Sequence, residues 1–207
     1  MPYFEELIRK TIHTGSIIIP VSVVLVYRMY PVNGRIYLAS ALAVISVFFI
    51  LFDILKARYR PFKSFILGVF GKVLRESELS GGMTAATIVF ASASFTVLIF
   101  RQEIAVAALV FLSLGDSAAA LVGKHFGRIK LVGNRTLAGS LAALNTCLLA
   151  SLAILWLSPQ FGWKLTPMTL LVGSVVATLS ELFDLPLDDN LRIPIFSALA
   201  MELILPG

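Results

Sequence analysis

The chain has 207 residues, 58% of them hydrophobic and 14% charged, with a mean hydropathy of +0.91 and a formal net charge of +5. A soluble domain is usually about 45–50% apolar and about 25% charged, so this composition excludes an ordinary soluble enzyme and points to an integral membrane protein. The positive balance reads as loops collected at one membrane face rather than as nucleic-acid binding. The single Cys147 excludes a disulfide framework.

A membrane-crossing helix needs roughly 20 apolar residues, and in lipid its backbone groups must be satisfied internally. Seven stretches qualify, at about 14–30, 36–55, 84–100, 103–123, 138–157, 167–183 and 192–205. The expected fold is therefore an all-α polytopic bundle of seven transmembrane helices plus an interfacial helix, with residues 1–207 as one domain. No internal repeat or low-complexity tract interrupts it.

The chain opens with "EELIRKTIH". In a helix Glu6, Arg9, Lys10 and His13 share one face, because residues three and four apart are neighbours. Leu7, Ile8 and Ile12 fall largely on another. This is an amphipathic lead-in helix whose cationic face is either solvated or aimed at phosphate or head groups. The flank of the first span carries acids as well as bases, and no small-residue cleavage site follows, so a retained span is expected rather than a cleaved signal.

Between the second and third spans lies "PFKSFILGVFGKVLRESELSGG". Phe62, Phe65, Ile66, Val69, Phe70, Val73 and Leu74 recur at helical spacing, with Lys63, Ser64, Lys72 and Arg75 between them. That pattern is an interfacial amphipathic helix, either an anchor or a ramp for a lipid substrate. Gly81, Gly82 and Thr84 then mark a helix start, with Thr84 as the expected cap.

The fourth span carries Asp116. With the helix ending near Gly123, the carboxylate sits about 10 Å from that end, below the interface. A charge inside a membrane is costly and usually faces the bundle interior or a wet cavity. Ser113, Ala120, Gly123 and Lys124 share its side, and small neighbours let a helix or a substrate come close. A basic segment follows, with Lys124, His125, Arg128, Lys130 and Arg135. Gly133 and Gly139 permit tight turns, and Thr136 and Ser140 are placed to cap the fifth span. Cations, backbone N–H groups and a helix N-terminus together suit a polyphosphate, although the spacing is not that of a Walker A loop.

The last loop, "ELFDLPLDDNLRIP", holds Glu181, Asp184, Asp188 and Asp189, stiffened by Pro186 and Pro194. Segments on alternate sides of the membrane hold 13 and 4 of the Lys and Arg residues, which orients the N-terminus to the cytoplasm and the C-terminus outside. The N-terminal stretch, the 56–83 loop, the 124–137 loop and the 181–191 loop then share the cytoplasmic face. Acids gathered where topology collects cations suit Mg²⁺, which takes one or two carboxylates plus substrate phosphates. Metal-assisted phosphoryl transfer to a membrane-soluble acceptor follows as the expectation.

These segments, "ELIRKTIH", "SGGMT", "GDSAAALVGKHFGRIKL", "NRTLAGS" and "ELFDLPLDDNLRIP", occur in the order found in the polyprenol kinase family. The chain resembles that family, which includes dolichol kinase, phytol kinase and the CTP-dependent diacylglycerol kinases and is related to phosphatidate cytidylyltransferases. The resemblance implies transfer of the γ-phosphate of CTP to a lipid alcohol with a divalent cation such as Mg²⁺. It assigns Asp116, Glu181, Asp188 and Asp189 to the metal, and Asp116, His13 and Lys124 to catalysis. It assigns Arg9, Lys10, Lys124, Arg128, Lys130, Arg135, Thr136, Gly139, Ser140 and Asn190 to the nucleotide and its phosphates. The implied partners are the lipid alcohol, the nucleotide and the bilayer, with no nucleic acid; a homodimer is the assembly considered.

Two other classes compete. A cytidylyltransferase would use the same groups to attack the α-phosphate and make a CDP-activated lipid. A small transporter would spread its ionisable groups to the midplane and both faces, whereas here they concentrate at one.

Overall fold

The computed structural model describes residues 3–71, 74, 76–79, 81–183 and 186–205. Lys72, Val73, Arg75, Asp184 and the side chain of Glu6 lie outside what the structure describes.

The structure is an integral membrane helical bundle. Helix α1 (Tyr3–Thr14) runs through a 3-10 turn (Gly15–Ile17) into α2 (Ile18–Met29). The lead-in helix and the first span are therefore one rod, because nothing between His13 and Ile18 breaks the backbone. α3 (Gly34–Arg58) follows, then α4 (Arg60–Phe70) and the single turn α5 (Glu76–Leu79). α6 (Ala85–Ile99) leads to α7 (Gln102–Val110), a π-helical turn (Phe111–Gly115) and α8 (Asp116–Phe126). α9 (Leu137–Phe161), α10 (Pro167–Leu182) and α11 (Asp189–Ile204) complete the chain. Four helical stretches, Leu7–Met29, Gly34–Arg58, Gln102–Phe126 and Leu137–Phe161, are long and apolar enough to cross a membrane, and α6 and α10 are shorter apolar helices. The amphipathic pattern after the second span corresponds to α4, which begins with Pro61 in its first turn, where a missing N–H costs nothing.

One element was not expected. The basic segment after α8 forms a two-stranded antiparallel hairpin, β1 (Lys130–Val132) and β2 (Arg135–Thr136). Gly133 takes the positive φ of +54° that its turn needs.

The rod α7–α8 is the centre of the bundle. Ile104, Ala105, Ala107, Ala108 and Phe111 are fully buried. On one flank they pack with Leu170, Ile193 and Met201 of α10 and α11; on the other, Ala105, Val106 and Leu109 meet Val23, Leu42 and Val97 of α2, α3 and α6. Small residues at Gly115, Ala119 and Gly123 form a stripe against α9. A Cβ on Gly139 would lie 2.8 Å from the Ala119 carbonyl oxygen, and one on Gly115 would lie 2.8 Å from Cys147 Sγ. This stripe of small residues admits a helix at close range. Gly139 belongs to this crossing and not to a loop.

Candidate active site

The expected segments converge at one end of the bundle. The π turn sits immediately before Asp116; such turns shift the register of a helix by one residue and recur at functional sites. Around it Ser113 Oγ pairs with Ser16 Oγ at 2.7 Å, and Thr14 Oγ1 donates to Ser117 Oγ at 2.9 Å. These contacts pin α1 along α8 and bring the cationic face of the lead-in helix onto the carboxylate. Lys10 Nζ donates to Asp116 Oδ2 at 2.5 Å, and His13 Nε2 lies 3.3 Å from the same oxygen. Lys10 and Asp116 are both buried, so each charge is balanced by the other as burial requires.

A second node lies on the hairpin. Arg135 reaches from β2 to Glu181 of α10, with Nη1–Oε1 at 2.7 Å, and to Asp189 of α11. Asp189 also pairs with Arg192 one turn on, and Arg192 donates to the Phe183 carbonyl. Burial works against the Arg135 charge, but Glu181 and Asp189 outweigh it and hold the guanidinium pKa above its ordinary value. Arg135 thus ties the hairpin to two helices rather than projecting freely as a phosphate ligand. Thr136 is spent similarly: it caps α9, its hydroxyl accepting from Gly139 N at 3.2 Å. Ser140 lies inside α9 with its hydroxyl buried and without a hydrogen-bond partner among the described residues, so it is not a cap. Lys124, Arg128 and Lys130 are exposed at the end of α8 and on the hairpin, where a soluble anion has access to them.

The four acids expected at a metal occupy different roles here. Asp188 caps α11, accepting from Asn190 N at 2.9 Å. Asp189 faces two arginines, and Asp116 faces Lys10 and His13. Among the described residues no group of three or more His, Cys, Asp or Glu side chains is arranged to hold a metal ion. Glu181 is the exception in availability: its Oε2 is buried without a hydrogen-bond partner. The donor set fits a divalent cation that brings phosphate oxygens with it and needs one or two protein carboxylates, not a closed protein cage. Pro194, expected to stiffen the acidic loop, is buried inside α11.

An apolar cavity of about 580 Å³ leads to this site. Phe49 and Phe52 of α3, Ile66 and Phe70 of α4, and Val89 and Phe90 of α6 line its length. Lys10, His13, Asp116 and Asn190 close one end. Its size lies in the range of small-ligand sites, about 300–1,000 Å³, and apolar walls with a few convergent polar groups are their usual make-up. Arg9 also lines it, half-buried.

Sequence reasoning missed a third polar cluster beside this cavity. Asp53 accepts from Lys56 Nζ at 2.8 Å, from Thr84 N at 2.8 Å and from Thr87 Oγ1 at 2.6 Å. Lys56 also reaches the Gly82 carbonyl at 3.3 Å. Thr84 is the N-cap residue of α6 but makes no capping bond; its N–H and hydroxyl go to Asp53, and Glu78 accepts from Ala85 N at 2.7 Å instead. Asp53 lies inside the second apolar span, so the cost of an intramembrane carboxylate that singled out Asp116 applied to it equally. Lys56 was counted as a loop charge, yet it is 2% exposed.

The chain is 35% identical over 130 residues to the Glycine max protein named "Probable phytol kinase 3, chloroplastic", a match covering 58% of this chain and 40% of that protein. It is 28% identical over 183 residues to CTP-dependent diacylglycerol kinase 1 of Saccharomyces cerevisiae, covering 78% and 62%. The protein of the same name in Schizosaccharomyces pombe is 28% identical over 165 residues, covering 74% of each chain. The chain's curated relatives are lipid-alcohol kinases. They match the polyprenol kinase resemblance carried by the motifs, and the motifs at Asp116, Arg135 and Asp189 are those that the fold draws to one end. The chain spans less than two thirds of the length of the first two relatives. No family model and no solved structure matches it.

Proposed function

We propose that the protein is a CTP-dependent kinase of membrane-dissolved alcohols, with an isoprenoid alcohol of the dolichol, polyprenol or phytol type, or diacylglycerol, as acceptor. The observation that carries this reading is the apolar cavity ending on Lys10, His13 and Asp116. A membrane alcohol has an apolar body and one reacting hydroxyl, which is the polarity of that cavity. The printed names of the relatives support a kinase, and the diacylglycerol kinases among them support CTP as donor.

In the proposed step the acceptor oxygen attacks the γ-phosphorus of CTP. Its O–H proton passes to His13 or Asp116, the bond from the γ-phosphorus to the β–γ bridging oxygen breaks, and CDP leaves. The shared contact on Asp116 Oδ2 favours His13 as base, with the carboxylate orienting the imidazole and stabilising it once protonated. Lys10 donates to that carboxylate. We assign Lys124, Arg128, Lys130 and Arg9 to the triphosphate, and Asn190 borders the acceptor cavity. Arg135, Thr136 and Gly139 act indirectly, by holding the hairpin and the α8–α9 crossing in place. Mg²⁺ arriving with the nucleotide would be held by Glu181, with Asp189 or Asp116 as second carboxylate if an ion pair opens, and would neutralise phosphate charge. The charge bias puts this end of the bundle in the cytoplasm, where CTP is found.

The test is an assay of purified protein in lipid with γ-labelled CTP or ATP and a panel of phytol, farnesol, dolichol and diacylglycerol. Label in a lipid phosphate together with CDP is expected. Pyrophosphate with a CDP-lipid would establish the cytidylyltransferase instead, and label in no lipid under any condition sinks the kinase reading.

A further inference from the structure

The cavity that ends on Asp116 is open along one flank. Ile12 and Ile18 line it from the α1–α2 rod and Phe70 lines it from α4, yet these residues are 61%, 69% and 48% exposed. Wall residues that face outward to this degree mark a mouth. α4 packs on α3 and makes no comparable contact with α1, α2 or α6, so the mouth lies between α4 and the rod. The rod is itself one of the stretches apolar enough to cross a membrane, so the mouth faces lipid rather than water.

The inner walls are aromatic. Phe49 and Phe90 stack with centroids 5.6 Å apart and planes 9° from parallel. Phe52 is braced edge-on by Phe62 of α4 at 5.2 Å. Such surfaces give a hydrocarbon tail broad contact without a polar demand. The polar lining includes two groups: Lys10 with the proton acceptors His13 and Asp116, and Glu78 with Thr84 at the start of α6.

Resting on the lipid-alcohol reading above, we propose that the acceptor enters sideways from the bilayer, hydroxyl first, between α4 and the α1–α2 rod. It lays the first part of a single tail along Phe49 and Phe90 and leaves the remainder in the membrane past Ile12, Ile18 and Phe70. The site therefore reads the hydroxyl and the proximal tail, not the tail's length. At about 580 Å³ the cavity is in the range of a site for one small molecule, and we assign it one tail.

The experiment separates binding from turnover. Phe90→Trp puts a fluorophore in the cavity wall, and isoprenoid alcohols brominated near the hydroxyl, of two tail lengths, are titrated into phosphatidylcholine vesicles holding the protein. Trp156 is 75% exposed and reports bromine dissolved in the bulk bilayer. Saturable quenching of Trp at position 90, with similar midpoints for both tail lengths, is expected. Ala86→Phe, which fills the cavity, should weaken that binding by about tenfold or more while nucleotide binding is unchanged. Ile18→Phe, at an exposed position, should slow association without unfolding the protein and keeps the test open should Ala86→Phe fail to fold. Quenching that only tracks the bulk, or that ignores both substitutions, overturns the lateral site. A brominated diacylglycerol that binds as tightly as the alcohols overturns the single-tail assignment. Saturable binding with no phosphoryl transfer leaves the tail site standing and rejects the kinase; transfer without saturable binding does the reverse.

Discussion

His13 Nε2 lies 3.3 Å from Oδ2 of Asp116, the oxygen that also accepts from Lys10 Nζ. A single carboxylate oxygen in the fourth span is thus shared by two bases from the chain's first helix. If the pair works as a unit, its members cannot contribute independently. Asp116→Asn and His13→Gln should each lower turnover by about 100-fold or more, several kcal/mol of barrier, and the double variant should lose little beyond the worse single one. Steady-state kinetics of the three variants checks this, and near-additive losses would separate the two residues.

Lys10 has a structural share in the same contact. Lys10→Met leaves Asp116 buried without its ion partner, and such a loss costs about 3–5 kcal/mol. Adding Asp116→Asn removes the orphaned charge, so the double variant should regain most of the stability while remaining inactive. Thermal unfolding in detergent reads the first effect and the assay reads the second.

Arg135 should behave as a tie and not as a nucleotide ligand. Arg135→Ala exposes Glu181 and Asp189 to each other and should destabilise by about 3 kcal/mol. Glu181→Gln in the same chain should restore part of it. A raised KM for CTP with unchanged stability would mean that Arg135 binds phosphate after all.

The exposed cations give a contrasting pattern. Lys124→Ala, Arg128→Ala and Lys130→Ala should each raise the KM for CTP, more strongly at low salt because exposed charges are screened, and leave thermal stability and the acceptor KM unchanged.

Asp53 has no part in the proposed chemistry, yet it should matter. Asp53→Ala leaves Lys56 buried without its ion partner and releases Thr84 and Thr87, with an expected loss of about 3–5 kcal/mol. Asp53→Ala/Lys56→Met should recover much of it. Because Glu78 and Thr84 border the acceptor cavity, the acceptor KM should rise more than that for CTP.

The helices were legible because each is an apolar run, although only four of the seven expected spans are long and apolar enough to cross a membrane among the described residues. Predicted and observed limits agree within a few residues for the second to sixth, for example 36–55 against Gly34–Arg58. α11 begins at Asp189 rather than near 192 because Asp188 caps it, a side-chain contact that hydropathy does not register. The hairpin at Lys130–Thr136 was invisible for a related reason: it is too short to show a two-residue period, and Arg135 anchors it only through partners far along the chain.

Asp116 was legible as well, since a carboxylate in oil demands a reason. What surrounds it was not. Composition and motif order by themselves determined a helical membrane protein and pointed to the lipid-alcohol kinases that its relatives are named as. Only the tertiary structure decided that Lys10 and His13, rather than other acids, stand against Asp116, that Arg135 clasps Glu181 and Asp189, and that an aromatic cavity leads to them. Hydrophobic runs are local and survive in one dimension. The pairing of buried charges depends on which helices pack together, and the small-residue stripe of α8 and the π turn at Phe111–Gly115 act only once the helices meet.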